Sequence, residues 1–248
     1  MNVLGVIPAR YSSSRFPGKP LVVIDGKSMI RRVYEQAMLC RGLSEVIVAT
    51  DNSSIEKHVS LFGGNVMMTS EHHRSGTERC SEVCSNLSAK GKVFDVVVNI
   101  QGDEPFIHPG QIEQVLSCFS NQGTMIASLM KKIESNAELS NPSVVKAIAD
   151  TRGRALYFSR TIIPFVRDFE TGKWLDHYTF YKHIGIYGYR SDILMQIVKL
   201  PPSGLEAAES LEQLRWLDYG FEIIMKETTF ESQAIDTPDD LVKLTNRE

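Results

Sequence analysis

The chain has 248 residues, of which 42% are hydrophobic and 23% charged, which is the balance of an ordinary soluble globular protein. Its net charge, 27 − 30 = −3, offers no field for a nucleic-acid backbone, so an anionic ligand must be caught by a local cluster of bases. The apolar runs are strand-sized, far short of the roughly 20 residues that span a bilayer, so membrane insertion is excluded and nucleic acid is not an expected partner.

In chain order, Val3–Pro8 reads as a first strand rather than a secretory signal, having neither a basic lead nor a long apolar region. Ser28 is placed to cap a helix carrying Met29, Ile30, Val33 and Met38 on one face. Glu45–Thr50, rich in β-branched residues, is the next strand. A helix near Ser53–Phe62 follows, stopped by Gly63-Gly64. Asn65–Met68 is a short strand, Thr77–Leu87 a helix, and Phe94–Ile100 the most apolar strand. The second half is less regular, with strands expected at Met125–Met130, Val144–Ala149, Ile184–Tyr189 and Phe221–Lys226. Leu205–Leu217 reads as one helix, and Asp236-Thr237-Pro238 opens a closing helix through Leu244. The β-α-β-α-β order predicts a parallel sheet between helix layers, in one compact domain over 1–248 with an excursion around 136–200. Cys40, Cys80, Cys84 and Cys118 form neither a CxxC pair nor a zinc set, so they read as reduced, structural thiols, and a cytoplasmic location is the default.

Ligands of such sheets collect beyond the carboxyl ends of the strands. After the first strand comes Pro8-Ala9-Arg10-Tyr11-Ser12-Ser13-Ser14-Arg15-Phe16-Pro17-Gly18-Lys19, neither a Walker loop nor GxGxxG. It concentrates two arginines, a lysine and three serine hydroxyls, a set suited to a triphosphate, although a solvated basic loop has the same composition. After the central strand, Gln101-Gly102-Asp103-Glu104-Pro105 is either a solvated turn or a magnesium site, since that ion needs few carboxylates beside phosphate and water. Asp236 reads from sequence alone as part of a helix cap. His183 and Tyr187 are four apart in a strand and share a face, as core residues often do.

The first loop, together with Val48-Ala49-Thr50-Asp51, Ser75-Gly76-Thr77-Glu78-Arg79, Asn99–Pro105, Ala155–Arg160, His183–Tyr189, Leu211–Arg215 and Asp236-Thr237-Pro238, resembles the sugar nucleotidyltransferases. Within them, the resemblance is to the cytidylyltransferases of 3-deoxy-manno-octulosonate (KDO), an acidic eight-carbon sugar. The blocks stand in the family's order across nearly the whole chain. Phe16, where the family usually has leucine, and Ser203-Gly204, in place of Ser-Pro, depart from it without touching a ligand group.

The resemblance implies a Rossmann-like three-layer α/β/α sandwich with a mixed, mainly parallel sheet, and a smaller lobe that binds sugar and forms a homodimer. It implies transfer of CMP from CTP to KDO with Mg2+, serving lipopolysaccharide synthesis. Arg10 and Lys19 would bind the triphosphate, with Arg15 nearby, and Asp103 and Asp236 the metal; these four, Arg10, Lys19, Asp103 and Asp236, are the expected catalytic groups. Ala9, Ser75, Gly76, Arg79 and Gln101 would complete the nucleotide site. Gln101, Arg160, His183, Tyr187, Glu212 and Gln213 would hold the sugar. A cytidylyltransferase for a sialic acid shares the phosphate loop, but the His-x3-Tyr and Leu-Glu-Gln-Leu-Arg blocks favour KDO. A nucleotide-binding protein without chemistry is the alternative of a different class.

Overall fold

Runs of β-branched residues that are apolar at every position can be satisfied only by burial on both faces, and the chain opens with several of them. A computed structural model describes residues 1–12, 16–231, 234–235 and 237–245. Strand β1 (Val3–Ala9) is followed by a small hairpin, β2 (Val23–Ile24) and β3 (Lys27–Ser28). Helix α1 (Met29–Met38), β4 (Glu45–Thr50), α2 (Ser53–Leu61), β5 (Val66–Met68), α3 (Gly76–Ser88) and β6 (Val96–Asn99) then alternate as expected. Next come α4 (Pro109–Cys118), β7 (Ile126–Lys132), α5 (Asn136–Ser140), β8 (Lys146–Ala149), β9 (Ala155–Ser159), α6 (Trp174–His177) and β10 (Tyr181–Arg190). Helices α7 (Ser191–Ile197), α8 (Gly204–Glu209) and α9 (Glu212–Asp218), strand β11 (Ile223–Glu227) and α10 (Pro238–Thr245) complete the chain.

The chain divides into two units. The first comprises Met1–Glu113, Gly188–Val198 and Glu231–Glu248. Here β1 lies parallel to both β4 and β6, and β4 is parallel to β5, with Gly5 opposite Val46 on one side and Val98 on the other. Leu4, Ile7, Val48, Val97 and Val98 are fully buried, as strands covered on both faces require. The second unit comprises Gln114–Tyr187 and Lys199–Phe230. In it β11 is parallel to β7, β7 neighbours β10, and β8 runs antiparallel to both β10 and β9. The sheet is therefore mixed and mainly parallel, flanked by helices, in agreement with the α/β expectation. Among the described residues no helix is long and apolar enough to cross a membrane.

Local chemistry sets the element ends. Ser28 caps α1 by accepting from the Arg31 amide, and Asn52 caps α2 by accepting from Ser54 (2.9 Å) and Ile55 (3.3 Å). Gly63, at φ 78, ends α2 in the left-handed conformation that glycine adopts without a Cβ clash. Two expectations need correction. Met38 is 55% exposed, because the last turn of α1 rotates it off the face formed by Met29, Ile30, Val33, Tyr34 and Ala37. The helix expected over Leu205–Leu217 is two helices, broken where Ser210 takes a left-handed φ of 52. The four cysteines are free; Cys40, Cys80 and Cys84 are buried, and burial pushes the thiols of Cys40, Cys84 and Cys118 up, which suits inert structural groups. Removing the α2 cap with Asn52→Ala should cost about 1 kcal/mol of unfolding free energy, read by urea denaturation.

Candidate functional site

Because β1, β4 and β6 are parallel, the loops that follow them leave from one edge of the sheet. A cleft on that edge is lined by Pro8, Ala9 and Arg10 after β1, by Lys19 and Pro20, by the run from His73 to Gly76 with Arg79, and by Gln101, Gly102 and Asp103 after β6. The loop expected to hold phosphate is drawn together at its described ends, where the Gly18 amide donates to the Tyr11 carbonyl (3.0 Å). Gly18 itself has φ 71, a value that favours glycine, and it starts the single helical turn that presents Lys19. Arg15 lies outside the described residues.

Lys19 and Asp103 meet: Nζ donates to Oδ2 at 2.7 Å. The approach of the two loops is fixed by Gly102, where a Cβ would stand 2.5 Å from the Pro8 carbonyl oxygen. No side chain fits there unless the backbone of β1 moves. The Asp103 carbonyl in turn accepts from the Ile235 amide (3.0 Å). Asp236, the next residue in sequence, lies outside the described residues.

The third wall is held by α3. Ser75 caps the helix by accepting from the Glu78 amide (3.3 Å). Glu78 accepts from the Arg74 amide (2.6 Å), while Glu82 accepts from the Ser70 amide (2.9 Å) and contacts the His73 ring. Arg79 donates to Thr69 Oγ1 (2.7 Å) and to the Ser70 carbonyl (3.2 Å), and pairs with Asp51 at the end of β4. Its guanidinium is thus engaged with the loop, which makes Arg79 a brace for the wall it lines. His73 and Arg74 line the cleft and were missed from sequence. Their position immediately before Ser75-Gly76 is the signal that would have found them.

The remaining expected sugar residues lie in the second unit. His183 and Tyr187 do share a face of β10, with ring centroids 5.1 Å apart. Phe158 of β9 packs edge-on to His183 at 5.2 Å, and Trp216 of α9 edge-on to Tyr187 at 5.1 Å. Ser128 Oγ lies 2.8 Å from the Ile186 carbonyl and 2.9 Å from His183 Nε2. With the one hydroxyl proton given to that carbonyl, Ser128 accepts from Nε2–H, and the ring keeps Nδ1 as an acceptor. Burial pushes the His183 imidazole down to about 3, so it is neutral at physiological pH. Burial, followed by the charge of Glu212, raises the Tyr187 phenol well above its ordinary range. Glu212 opens α9 and accepts from Arg215 Nη2 (3.2 Å), and the adjacent Gln213 is buried.

Arg160 follows β9. Its guanidinium donates to the carbonyls of Glu209 (Nε, 2.7 Å), Pro142 (3.3 Å) and Ser210 (3.4 Å). Among the described residues it has no carboxylate within ion-pair distance, and these bonds use three of its five N–H donors. It is a cation already oriented and still available to an anion.

The depressed His183 pKa has a consequence for acid stability. Its folded value of about 3 is below the ordinary 6.5, so the unfolded chain takes up the proton first, and stability falls as pH drops from about 6.5 towards about 3. The slope from this group is at most about 1.4 kcal/mol per pH unit. His183→Gln should lack that component, measured by urea denaturation at pH 7, 6 and 5.

The cytidylyltransferase family model matches residues 4–226. A 3-deoxy-manno-octulosonate cytidylyltransferase from Parabacteroides distasonis is 51% identical over 98% of this chain and 96% of its own length. Its counterpart from Geobacter sulfurreducens is 44% identical over 98% of each chain. A solved structure of CMP:2-keto-3-deoxy-manno-octonic acid synthetase complexed with CTP superposes with a TM-score of 0.90 at 43% identity, over 98% of this chain and 97% of that one. With the cleft residues in place and this identity along nearly the whole length, the chain belongs to the 3-deoxy-manno-octulosonate cytidylyltransferase family of nucleotidyltransferases.

Proposed function

We propose that this enzyme transfers CMP from CTP to KDO, releasing pyrophosphate. The observation that carries the reading is the cleft at the carboxyl edge of β1 and β6, where Arg10 and Lys19 stand beside Asp103. Arg10 offers a planar fork and Lys19 a point charge, a combination suited to a triphosphate and to the negative charge that grows on departing pyrophosphate. Arg15 joins them by resemblance. The Ala9 backbone, Ser75, Gly76 and the braced Arg79 shape the nucleoside end of the site, with Gln101 beside them.

For the acceptor, Arg160 takes the sugar carboxylate with its two uncommitted donors. Neutral His183 accepts from a sugar hydroxyl through Nδ1. Tyr187, Glu212, Gln213 and Gln101 supply the mixed donors and acceptors that a polyhydroxylated acid needs. The sugar's anomeric hydroxyl attacks the α-phosphorus in line, forming the new P–O bond as the bond to pyrophosphate breaks, with no covalent enzyme intermediate.

Magnesium suits Asp103, a hard oxygen donor that leaves the rest of the coordination shell to phosphate oxygens and water. Among the described residues no three His, Cys, Asp or Glu side chains gather as a metal cluster. Asp236 is the second acid assigned by resemblance. When bound, the ion would neutralise phosphate charge. The same reading makes the enzyme a cytoplasmic homodimer that supplies a lipopolysaccharide precursor. Exposed Phe165, Phe169 and Tyr178, grouped with Trp174, His177 and Phe180 in the second unit, are the kind of surface that a second copy covers.

Pyrophosphate release from CTP and magnesium, with KDO and sialic acid supplied in parallel, tests the reaction. Release with KDO alone is expected; release with sialic acid alone would overturn the acceptor, and silence with both would favour a binding protein without chemistry. Asp103→Asn should lower turnover by about a hundredfold or more, the scale of losing one group that manages transition-state charge. Near-normal turnover would remove Asp103 from the mechanism.

A further inference from the structure

Arg160 is gripped at more points than a loop arginine needs for folding, and the grip comes from side chains with no assigned part in the reaction. Glu209 holds it twice. Its carboxylate accepts from the Arg160 backbone amide (Oε2, 2.9 Å), and its backbone carbonyl accepts from the guanidinium (Nε, 2.7 Å). The other carboxylate oxygen accepts from Ser159 Oγ at 2.5 Å, and Ser159 Oγ accepts from the Thr161 amide at 3.1 Å. On the far side, Lys146 is completely buried, and its ammonium donates to the carbonyls of Arg160 (2.9 Å), Asn141 (2.8 Å) and Val144 (2.8 Å). The amide and the carbonyl of Arg160 are therefore each bonded to an ionised side chain. Ser210, by turning left-handed after α8, leaves the carbonyls of residues 209 and 210 facing the guanidinium.

This is an expensive arrangement. A buried ammonium and a carboxylate bonded to main-chain groups cost desolvation that an apolar pair would not. What it secures is the placement of one cation with no carboxylate bonded to its guanidinium. We propose that Glu209, Ser159 and Lys146 are positioning residues for the acceptor, fixing Arg160 so that two guanidinium donors remain aimed at the sugar carboxylate. The inference rests on the assignment of Arg160 as the carboxylate partner.

In the full-length enzyme, Glu209→Gln removes the charge and leaves one acceptor oxygen for two donors, the Arg160 amide and the Ser159 hydroxyl. It should raise KM for KDO about tenfold, the scale of one lost charge-assisted hydrogen bond. KM for CTP should stay within about twofold, and CTP affinity by calorimetry should be unchanged, showing that the first unit is intact. Ser159→Ala, a milder change, should shift KM for KDO in the same direction by a smaller factor. In an Arg160→Ala background, Glu209→Gln should add nothing, because the group it orients is gone. Additive effects in the double variant, or equal losses for CTP and KDO, would overturn the clamp. If Arg160→Ala leaves KM for KDO unchanged, the assignment of Arg160 fails first and the clamp with it. If Arg160→Ala raises KM and neither Glu209→Gln nor Ser159→Ala does, the assignment stands and the clamp alone is wrong.

Discussion

Parallel pairing puts every strand's carboxyl end on one edge, and the cleft depends on that constraint. β1 is flanked by β4 and β6 in parallel, so Arg10, Asp51 and the Gln101–Asp103 turn emerge on the same side although they are tens of residues apart in sequence. Leu4, Ile7, Val48, Val97 and Val98 are fully buried, so the strands that carry these loops are packed on both faces. The closest contact in the arrangement has no side chain at all: at Gly102 the turn after β6 comes within Cβ distance of the end of β1. Rigidity at the sheet edge thus comes from hydrocarbon packing below and a glycine contact above, and the charged groups are added to a frame that already stands.

The two units manage positive charge in opposite ways. Arg79 is paired with Asp51 and bonded to Thr69 and Ser70, so its charge is neutralised and its donors are used to brace a wall. The Arg160 guanidinium is bonded to carbonyl dipoles alone, which orient it without a carboxylate bonded to it. Lys146 resembles Arg160 in bonding to carbonyls, but all three of its donors are committed and it is sealed from solvent. Residue type does not separate these roles; the sign and number of the partners does.

That difference explains what was legible in the sequence. β4 was read to its ends, and β1, α2 and α3 nearly so, because β-branched runs and the glycines after α2 act locally. The break at Ser210 was not, since nothing in the residue type distinguishes a left-handed serine from the helical one that propensity suggests. Helix α7 escaped notice because its start at Arg190 has no side-chain cap, and α4 was missed although Pro109 opens it. In the site, the bases of the first loop and Asp103 stood out by composition, but the commitment of Arg79 to Asp51 and the grip of Glu209 on Arg160 join residues 28 and 49 apart. Contacts of that span are made by the fold, and no local pattern announces them.

The Lys19–Asp103 pair shows how such a contact can serve function without obstructing it. At 2.7 Å it aligns both side chains towards the cleft, yet the groups retain 12% and 29% exposure, so neither is fully desolvated. A solvent-exposed pair is worth about 0–1 kcal/mol, and this part-buried one stands between that limit and a fully desolvated pair. The ion pair therefore holds two side chains in position at the cleft while leaving both in reach of solvent. A buried pair of the same residues would have been pinned by the cost of leaving either charge alone, and placing them at the open edge of the sheet avoids that.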